Sequence, residues 1–204
     1  LPRGEELVDM LVEEIPNLTS VILNLNIQRT NVILGSRNLV LYGRDYIVQN
    51  IAGFRFRISL HTFLQVNSDQ TEALYANIFK MAGLTKEMTV ADLYCGAGTI
   101  TLHAAKRAKF VYGIEIVPQA VEDARRNAED NGVKNVKFFC GDCAEAFQNI
   151  QSEGARLDAV IVDPPRKGLD PGVIAEIAAA GPGKVVYVSC DPATLARDLA
   201  LFVK

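Results

Sequence analysis

Cys190 stands in Val188-Ser189-Cys190-Asp191-Pro192, where an apolar run gives way to a helix signal. A thiol at a helix N-terminus is shifted toward thiolate, its nucleophilic form. Taken alone, a cysteine in this setting is more often a small packed residue. Asp163-Pro164-Pro165-Arg166-Lys167-Gly168 follows another apolar run. Its prolines fix the backbone, and such a carboxylate-bearing corner can hold a planar substrate or simply form a turn. A third segment, Asp92-Leu93-Tyr94-Cys95-Gly96-Ala97-Gly98-Thr99, has glycines that let backbone approach a ligand at a helix N-terminus. Thr101 stands where a dinucleotide fingerprint would have its third glycine. Asp92 would repel a pyrophosphate and attract an ammonium. Glu115 ends the next apolar run and can accept from both hydroxyls of a ribose. NAD and S-adenosylmethionine share that ribose, but only the latter pairs it with an amino group and no phosphate, so Asp92 favours it. Asp142 follows a third run and either hydrogen-bonds an adenine or forms a plain Gly141-Asp142 turn.

These residues need elements that bring strand ends together. From Asp69 onward, helices and strands alternate. A helix capped by Asp69, with Glu72 three residues later, closes at Gly83. Strands are expected at Thr89–Tyr94, Phe110–Glu115, Val136–Cys140, Leu157–Asp163 and Lys184–Ser189. Helices lie between them, one running to about Lys106, one from Pro118 to Gly132, one from about Pro171 to Gly181, and a last opening at Asp191-Pro192. The fold class is therefore α/β, an open parallel sheet covered on both faces, with its chemistry at the strands' carboxyl ends. Residues 1–68 read differently, as a short helix ending at Pro16 and then strands at Ser20–Leu25, Asn31–Leu34, Asn38–Tyr42 and Phe54–Ser59. The division is thus 1–68, a small α+β segment, and 69–204, the α/β domain.

The chain has 204 residues, of which 49% are hydrophobic and 22% charged, and its net charge is -3, which excludes intrinsic disorder and a uniformly basic nucleic-acid clamp. The charge is uneven. Residues 17–67 hold five arginines, no lysine and one acid. Arg55 and Arg57 alternate with Phe54 and Phe56, giving a strand with one basic and one apolar face. That basic face is either solvated or contacts phosphates. Four cysteines are too few for a disulfide scaffold, and a reducing, cytoplasmic setting is expected. The Cys140-Gly-Asp-Cys143 spacing has no second pair, so no metal is expected. His103 is expected on a helix surface.

Taken together, D-L-Y-C-G-A-G-T, G-I-E, D-P-P-R-K-G and Y-V-S-C-D-P-A-T-L-A-R-D resemble the RNA uracil-5-methyltransferases of the RumA/TrmA type. F-L-Q-V-N at Phe63–Asn67 resembles the segment entering that family's methyltransferase domain. The resemblance spans essentially the whole chain and leans toward the members acting on 23S ribosomal RNA. It implies a Rossmann-like methyltransferase fold, S-adenosylmethionine as cofactor and RNA as partner. It also implies that Gln65, Tyr94, Glu115 and Asp163 contact the cofactor and that Cys190 is the nucleophile, while the arginine-bearing first segment helps hold RNA. Asp92, Gly96, Gly98 and Asp142 complete the expected cofactor pocket, and Arg55, Arg57 and Arg166 the expected RNA contacts.

Such an enzyme needs a thiolate because carbon 5 of uracil is a poor nucleophile until carbon 6 has been attacked, on a base that is single-stranded or flipped out. The family's proton-abstracting glutamate and the last two strands of its sheet lie beyond the cysteine helix. The resemblance therefore implies a C-terminal fragment of a larger enzyme, impaired in turnover, whose fifth strand is an unprotected edge. Two other readings remain: an amine methyltransferase using the Asp163-Pro164-Pro165 corner, and a non-catalytic RNA- or cofactor-binding module.

Overall fold

The computed structural model describes residues 2–27, 29, 33–65 and 67–203. Helix α1 (Gly4–Glu14) leads into two antiparallel ribbons, β1 (Ser20–Leu25) with β2 (Arg37–Gly43), and β3 (Tyr46–Ile51) with β4 (Phe54–Ser59). The β3–β4 turn is Ala52-Gly53, both at positive φ (44° and 81°). That handedness matches strand twist, which is why two-residue hairpins use it. Gly43-Arg44-Asp45 supplies a turn before β3, but the strand itself is not among those expected. Of the strand expected at Asn31–Leu34, Asn31 and Val32 lie outside the described residues, and Ile33 and Leu34 form a bend.

After α2 (Ser68–Ala82) the chain alternates β5 (Thr89–Leu93), α3 (Thr99–Ala105), β6 (Phe110–Glu115), α4 (Pro118–Asp130), β7 (Val136–Cys140), α5 (Cys143–Ser152), β8 (Ala159–Val162), α6 (Pro171–Ala180), β9 (Lys184–Tyr187) and α7 (Pro192–Phe202). All five strands are parallel, in the order β7-β6-β5-β8-β9. The chain starts mid-sheet at β5, winds out to β7, returns to β8 and ends at β9. The winding reverses between β5 and β8, so a crevice opens at their carboxyl ends. β8 is fully buried along its length, as a strand covered on both faces must be. β9 forms one edge, with no strand on its outer side among the described residues.

Several details differ from the sequence reading. Asn67, not Asp69, caps α2, accepting from the Gln70 N–H at 3.1 Å. Glu72 is free of that box and instead accepts from the Ala52 N–H in the hairpin turn at 3.0 Å. Helix α5 was not anticipated, because its apolar face is only Cys143, Ala146, Phe147 and Ile150 in an otherwise polar stretch. The fourth and fifth strands are shorter than expected at both carboxyl ends.

The ribbon β3–β4 is joined to the parallel domain in two ways. Ile51, Phe54, Phe56 and Ile58 are buried in the same core as α2, α3 and α4. The backbone of β4 is also held by a row of side chains along α4. Asn131 bonds both the N–H (3.0 Å) and the C=O (2.7 Å) of Arg55. Asn127 does the same for Arg57, at 2.7 and 2.9 Å. Asp123, fully buried, accepts from the Ser59 N–H and hydroxyl, each at 2.8 Å, and from the Thr62 hydroxyl at 2.9 Å. The division near residue 68 therefore marks a change from antiparallel to parallel strands, across which the core is continuous.

Candidate active site

The site lies where β5, β6, β8 and β9 end. Tyr94, just after β5, has φ 62°, a left-handed conformation that a bulky side chain adopts at a cost of about 1–3 kcal/mol. It turns the chain sharply into the glycine loop. Gly98, at φ 80°, caps α3, and a Cβ there would press at 3.2 Å on Ala124, Leu102 and Phe138, so close packing of loop, helix and sheet demands glycine. Gly96, at φ 54°, faces open space apart from the Phe63 carbonyl at 3.9 Å. That contact brings the Phe63–Asn67 segment over the loop; Val66 within it lies outside the described residues.

Three carboxylates share this edge. Asp92 is fully buried; its Oδ2 accepts from the Thr101 hydroxyl at 2.5 Å and its Oδ1 has no partner. Burial pushes its pKa up to about 7; the Thr101 hydroxyl opposes this, and Asp163 and Glu115 add to it. Asp163 is raised as well, by burial, against a hydrogen bond from Gln65. Glu115 is oriented by two backbone donors, Gly96 N–H to Oε2 (3.1 Å) and Val117 N–H to Oε1 (2.9 Å). Each oxygen keeps a second lone pair, so the fixed carboxylate can still accept from a pair of vicinal hydroxyls. Burial, then nearby anionic groups including Glu115, pushes the Tyr94 phenol up to about 12, so it stays a neutral donor. An orphaned buried carboxylate oxygen and an excess of negative charge fit a ligand bearing cationic groups, as a sulfonium amino acid does. Asp142 caps α5 through Oδ1, accepting from the Glu145 N–H at 2.9 Å, and the cap uses that oxygen only.

Cys190 is exposed. It sits between the end of β9 and α7, whose N-cap is Asp191, bonded to the N–H groups of Ala193 (3.0 Å) and Thr194 (3.3 Å). Those bonds, then Arg166, hold the Asp191 carboxyl below the usual range. Arg166, expected to face RNA, contacts Asp191 at 3.4 Å and remains largely exposed. The D-P-P-R corner and the cysteine turn are thus adjacent.

The expected arginine pair divides. Arg55 is exposed. Arg57 is half-buried, with its guanidinium 3.6 Å from the Tyr46 ring centroid and 3.2 Å from Asp45, so its charge is already engaged within the chain. Arg55 pairs through its backbone with Asn131, just past the end of α4, about 20 Å along that helix from the crevice. His103 is buried, contrary to expectation: its Nδ1 lies 2.7 Å from the Thr99 carbonyl and its ring packs against Phe54, Phe56 and Tyr75. Burial lowers its pKa. Cys95 and Cys143 are buried, Cys140 is exposed, and among the described residues no group of three or more ligands could hold a metal. Nor is any helix among them long and apolar enough to cross a membrane.

The sequence reading missed Thr101, Asp123, Tyr187, Arg197 and Asp198 as site-supporting residues. Thr101 was read only as a missing glycine. Spacing does carry a signal for two of the others, Asp123 and Asp198, acids on the inward faces of amphipathic helices, where an uncompensated charge is costly; none marks Tyr187 or Arg197.

The chain as a whole is similar to known proteins. A family model described as tRNA (uracil-5-)-methyltransferase matches residues 6–204. An uncharacterized RNA methyltransferase of Caldanaerobacter subterraneus subsp. tengcongensis is 52% identical over 199 residues, 98% of this chain and 44% of that protein. One from Listeria monocytogenes is 49% identical over 201 residues, again 98% and 44%. The chain thus spans less than half the length of these curated relatives. Among solved structures, the Pyrococcus abyssi tRNA (uracil-54, C5)-methyltransferase in complex with S-adenosyl-L-homocysteine superposes with a TM-score of 0.73 at 31% identity, covering 91% of this chain and 44% of that one. The precorrin-6y C5,15-methyltransferase of Geobacter metallireducens, at 14% identity and TM-score 0.59 over 72% of this chain and 73% of that one, shares the fold alone.

Proposed function

Because the chain belongs to the tRNA (uracil-5-)-methyltransferase family, we propose that it carries the cofactor pocket and the nucleophile of an S-adenosylmethionine-dependent enzyme that methylates carbon 5 of a uridine in RNA. The observation that carries this reading is the exposed Cys190 at the sheet's carboxyl edge, between a strand end and a helix N-terminus and beside the Asp163–Gly168 corner.

Bound S-adenosylmethionine supplies an electrophilic methyl on a sulfonium. In this reading Glu115 accepts from the ribose hydroxyls, Asp92 and Asp163 favour the cationic end, Gly96 lets the backbone close on the ligand, and Gly98 packs the loop behind it. Gln65 steadies Asp163, Tyr94 stays protonated against the pocket, and Asp142 is left to the adenine. Cys190, as thiolate, adds to carbon 6 of the uracil, and the ring's electron pair moves to give carbon 5 carbanion character. Carbon 5 takes the methyl, and the sulfonium leaves as a neutral thioether. Loss of the proton on carbon 5 then expels the Cys190 thiolate and restores the ring. We assign no residue of this chain to that last proton removal. Residues 1–68, including the exposed Arg55, are assigned to RNA contact, and Arg166 to the strand entering the crevice.

For the RNA class we favour ribosomal RNA, on the resemblance of the motifs. Transfer RNA is the second reading, favoured by the likeness to the Pyrococcus abyssi enzyme. The test of the chemistry is incubation with S-adenosylmethionine and an RNA containing 5-fluorouridine, which cannot lose its carbon-5 substituent as a proton. A stable protein–RNA adduct mapping to Cys190, absent in Cys190→Ala, is expected. Methyl transfer retained by Cys190→Ala would instead favour an amine methyltransferase. Mapping 5-methyluridine in ribosomal and transfer RNA fractions after gene loss decides the substrate.

A further inference from the structure

A single buried carboxylate ties together the three pieces that surround Cys190. Asp198 lies on α7 and is fully buried. Its Oδ2 accepts from the Tyr187 hydroxyl (2.6 Å), at the end of β9, and from the Leu169 N–H (2.7 Å), at the end of the D-P-P-R-K-G corner. Its Oδ1 accepts from Arg197 Nε (2.8 Å) and Nη2 (2.6 Å), and the same Nη2 donates to the Lys167 carbonyl at 2.8 Å. Burial alone would raise this carboxyl, but the Tyr187 hydroxyl, the Leu169 N–H and Arg197 outweigh it and hold the pKa low. Gly168, at φ +79°, is where the corner passes the carboxylate, and a Cβ there would overlap Asp198 Oδ2 and Arg197 Nη2.

The topology of these bonds matters more than their number. Tyr187 is three residues before Cys190 and Asp198 eight after it, so their bond closes the cysteine turn into a ring. The Leu169 and Lys167 bonds fasten that ring to the corner bearing Asp163 and Arg166. The Arg166–Asp191 contact near the sulfur is exposed and long at 3.4 Å, too weak to set the spacing alone. We propose that Asp198 is a positioning residue that fixes the distance between the Cys190 sulfur and the Asp163–Gly168 corner, and thereby the approach of thiolate to pyrimidine. This rests on the reading of Cys190 as the nucleophile. A displacement on the order of 1 Å from a remote change costs about a hundredfold in such alignments.

The test uses the full chain with Asp198→Asn, Tyr187→Phe and Gly168→Ala, each checked for folding by circular dichroism. Three quantities are read: S-adenosylmethionine affinity, the rate of adduct formation with a single-stranded oligoribonucleotide carrying 5-fluorouridine, and the rate of Cys190 alkylation by iodoacetamide. In Asp198→Asn the adduct rate should fall about a hundredfold, with cofactor affinity and alkylation within about twofold of the parent, because the thiolate itself is unaltered. Tyr187→Phe should fall less, and Gly168→Ala at least as far as Tyr187→Phe. Adduct rates within twofold of the parent in the folded variants overturn the proposal, as does a matching loss of cofactor affinity, which marks general loosening. Amide exchange needs no RNA: segments 164–169 and 188–192 should lose protection together in each variant, and unchanged protection also overturns it. Coupled loss of protection in the variants, with a parent that forms no adduct, refutes the Cys190 chemistry and leaves the tie standing.

Discussion

Replacing Asp92 with asparagine should stabilise the protein at alkaline pH while weakening its hold on S-adenosylmethionine. The carboxyl is fully buried with one oxygen unpartnered, and its pKa in the fold is about 7 against an ordinary 3.8. Between those values the native chain holds a proton that the unfolded chain has released. Parent stability contributed by this group therefore falls as pH rises through the window and levels off above about pH 7. One pKa unit corresponds to about 1.4 kcal/mol, so a window of about three units caps the cost near 4 kcal/mol. Asparagine does not titrate and keeps an oxygen for the Thr101 hydroxyl. The stability difference, Asp92→Asn minus parent, should widen by about 3 kcal/mol from about pH 5 to about pH 8, read by urea unfolding of both proteins at both pH values. A difference that stays constant or shrinks with pH refutes the claim that burial of this charge outweighs the hydrogen bonding from Thr101. Calorimetry on the same pair should show weaker S-adenosylmethionine binding in the variant, since the charge that costs stability is the one offered to the ligand.

Other expectations concern the supports of the site. Asp123→Ala strands the Ser59 and Thr62 donors and should cost about 3 kcal/mol in denaturant unfolding; a loss below about 1 kcal/mol would mean that the α4–β4 row is not a structural tie. Arg55→Ala should lower the salt dependence of RNA binding by about one counterion, whereas Arg57→Ala should act mainly on stability, through Tyr46 and Asp45. Equal effects of the two on the salt slope would contradict that division. Iodoacetamide on the native protein should label Cys190 and Cys140 first. Cys95 is buried with its thiol pushed up by burial, and Cys143 is pushed up to about 12 by the same cause, so both should react only on unfolding, as peptide mass mapping would show.

What the sequence discloses here follows from how local each feature is. The parallel domain was legible because hydrophobic runs of strand length alternate with capped helices, and because acids and glycines fall at strand exits. Glu115 and Asp163 stand out for that reason, whereas Gln65 and Tyr94 enter only through the family resemblance. β3 was not: Gly43-Arg44-Asp45 marks a turn before it, but Tyr46–Ile51 is recognised as a strand only by its partner β4. Helix α5 failed for want of a wide apolar face. His103 read as a surface residue because histidine is usually polar, but the aromatic ribbon residues Phe54 and Phe56 enclose it. The Asp198 tie is a tertiary fact: its four donors come from residues 169, 187 and 197, and no periodicity announces which backbone N–H a helix acid will meet.

The row of polar residues along α4 has a meaning for how the chain meets other chains. A carboxamide offers the same donor and acceptor as a peptide unit, so Asn127 and Asn131 serve as detached rungs of a ladder that no strand completes. Four residues of helix advance about 6 Å, and two residues of strand about 6.8 Å. The two rulers agree closely enough for three rungs and drift by about 1.5 Å across them, so the match ends where Asp123 turns from amide mimic to pure acceptor. A helix has thereby blunted an edge that would otherwise invite a foreign strand. Substitution of Asn131 should therefore show itself first as a tendency to aggregate, before any loss of cofactor, whereas Asn127 also donates to the Ala97 carbonyl in the glycine loop at 3.0 Å and its loss should disturb both.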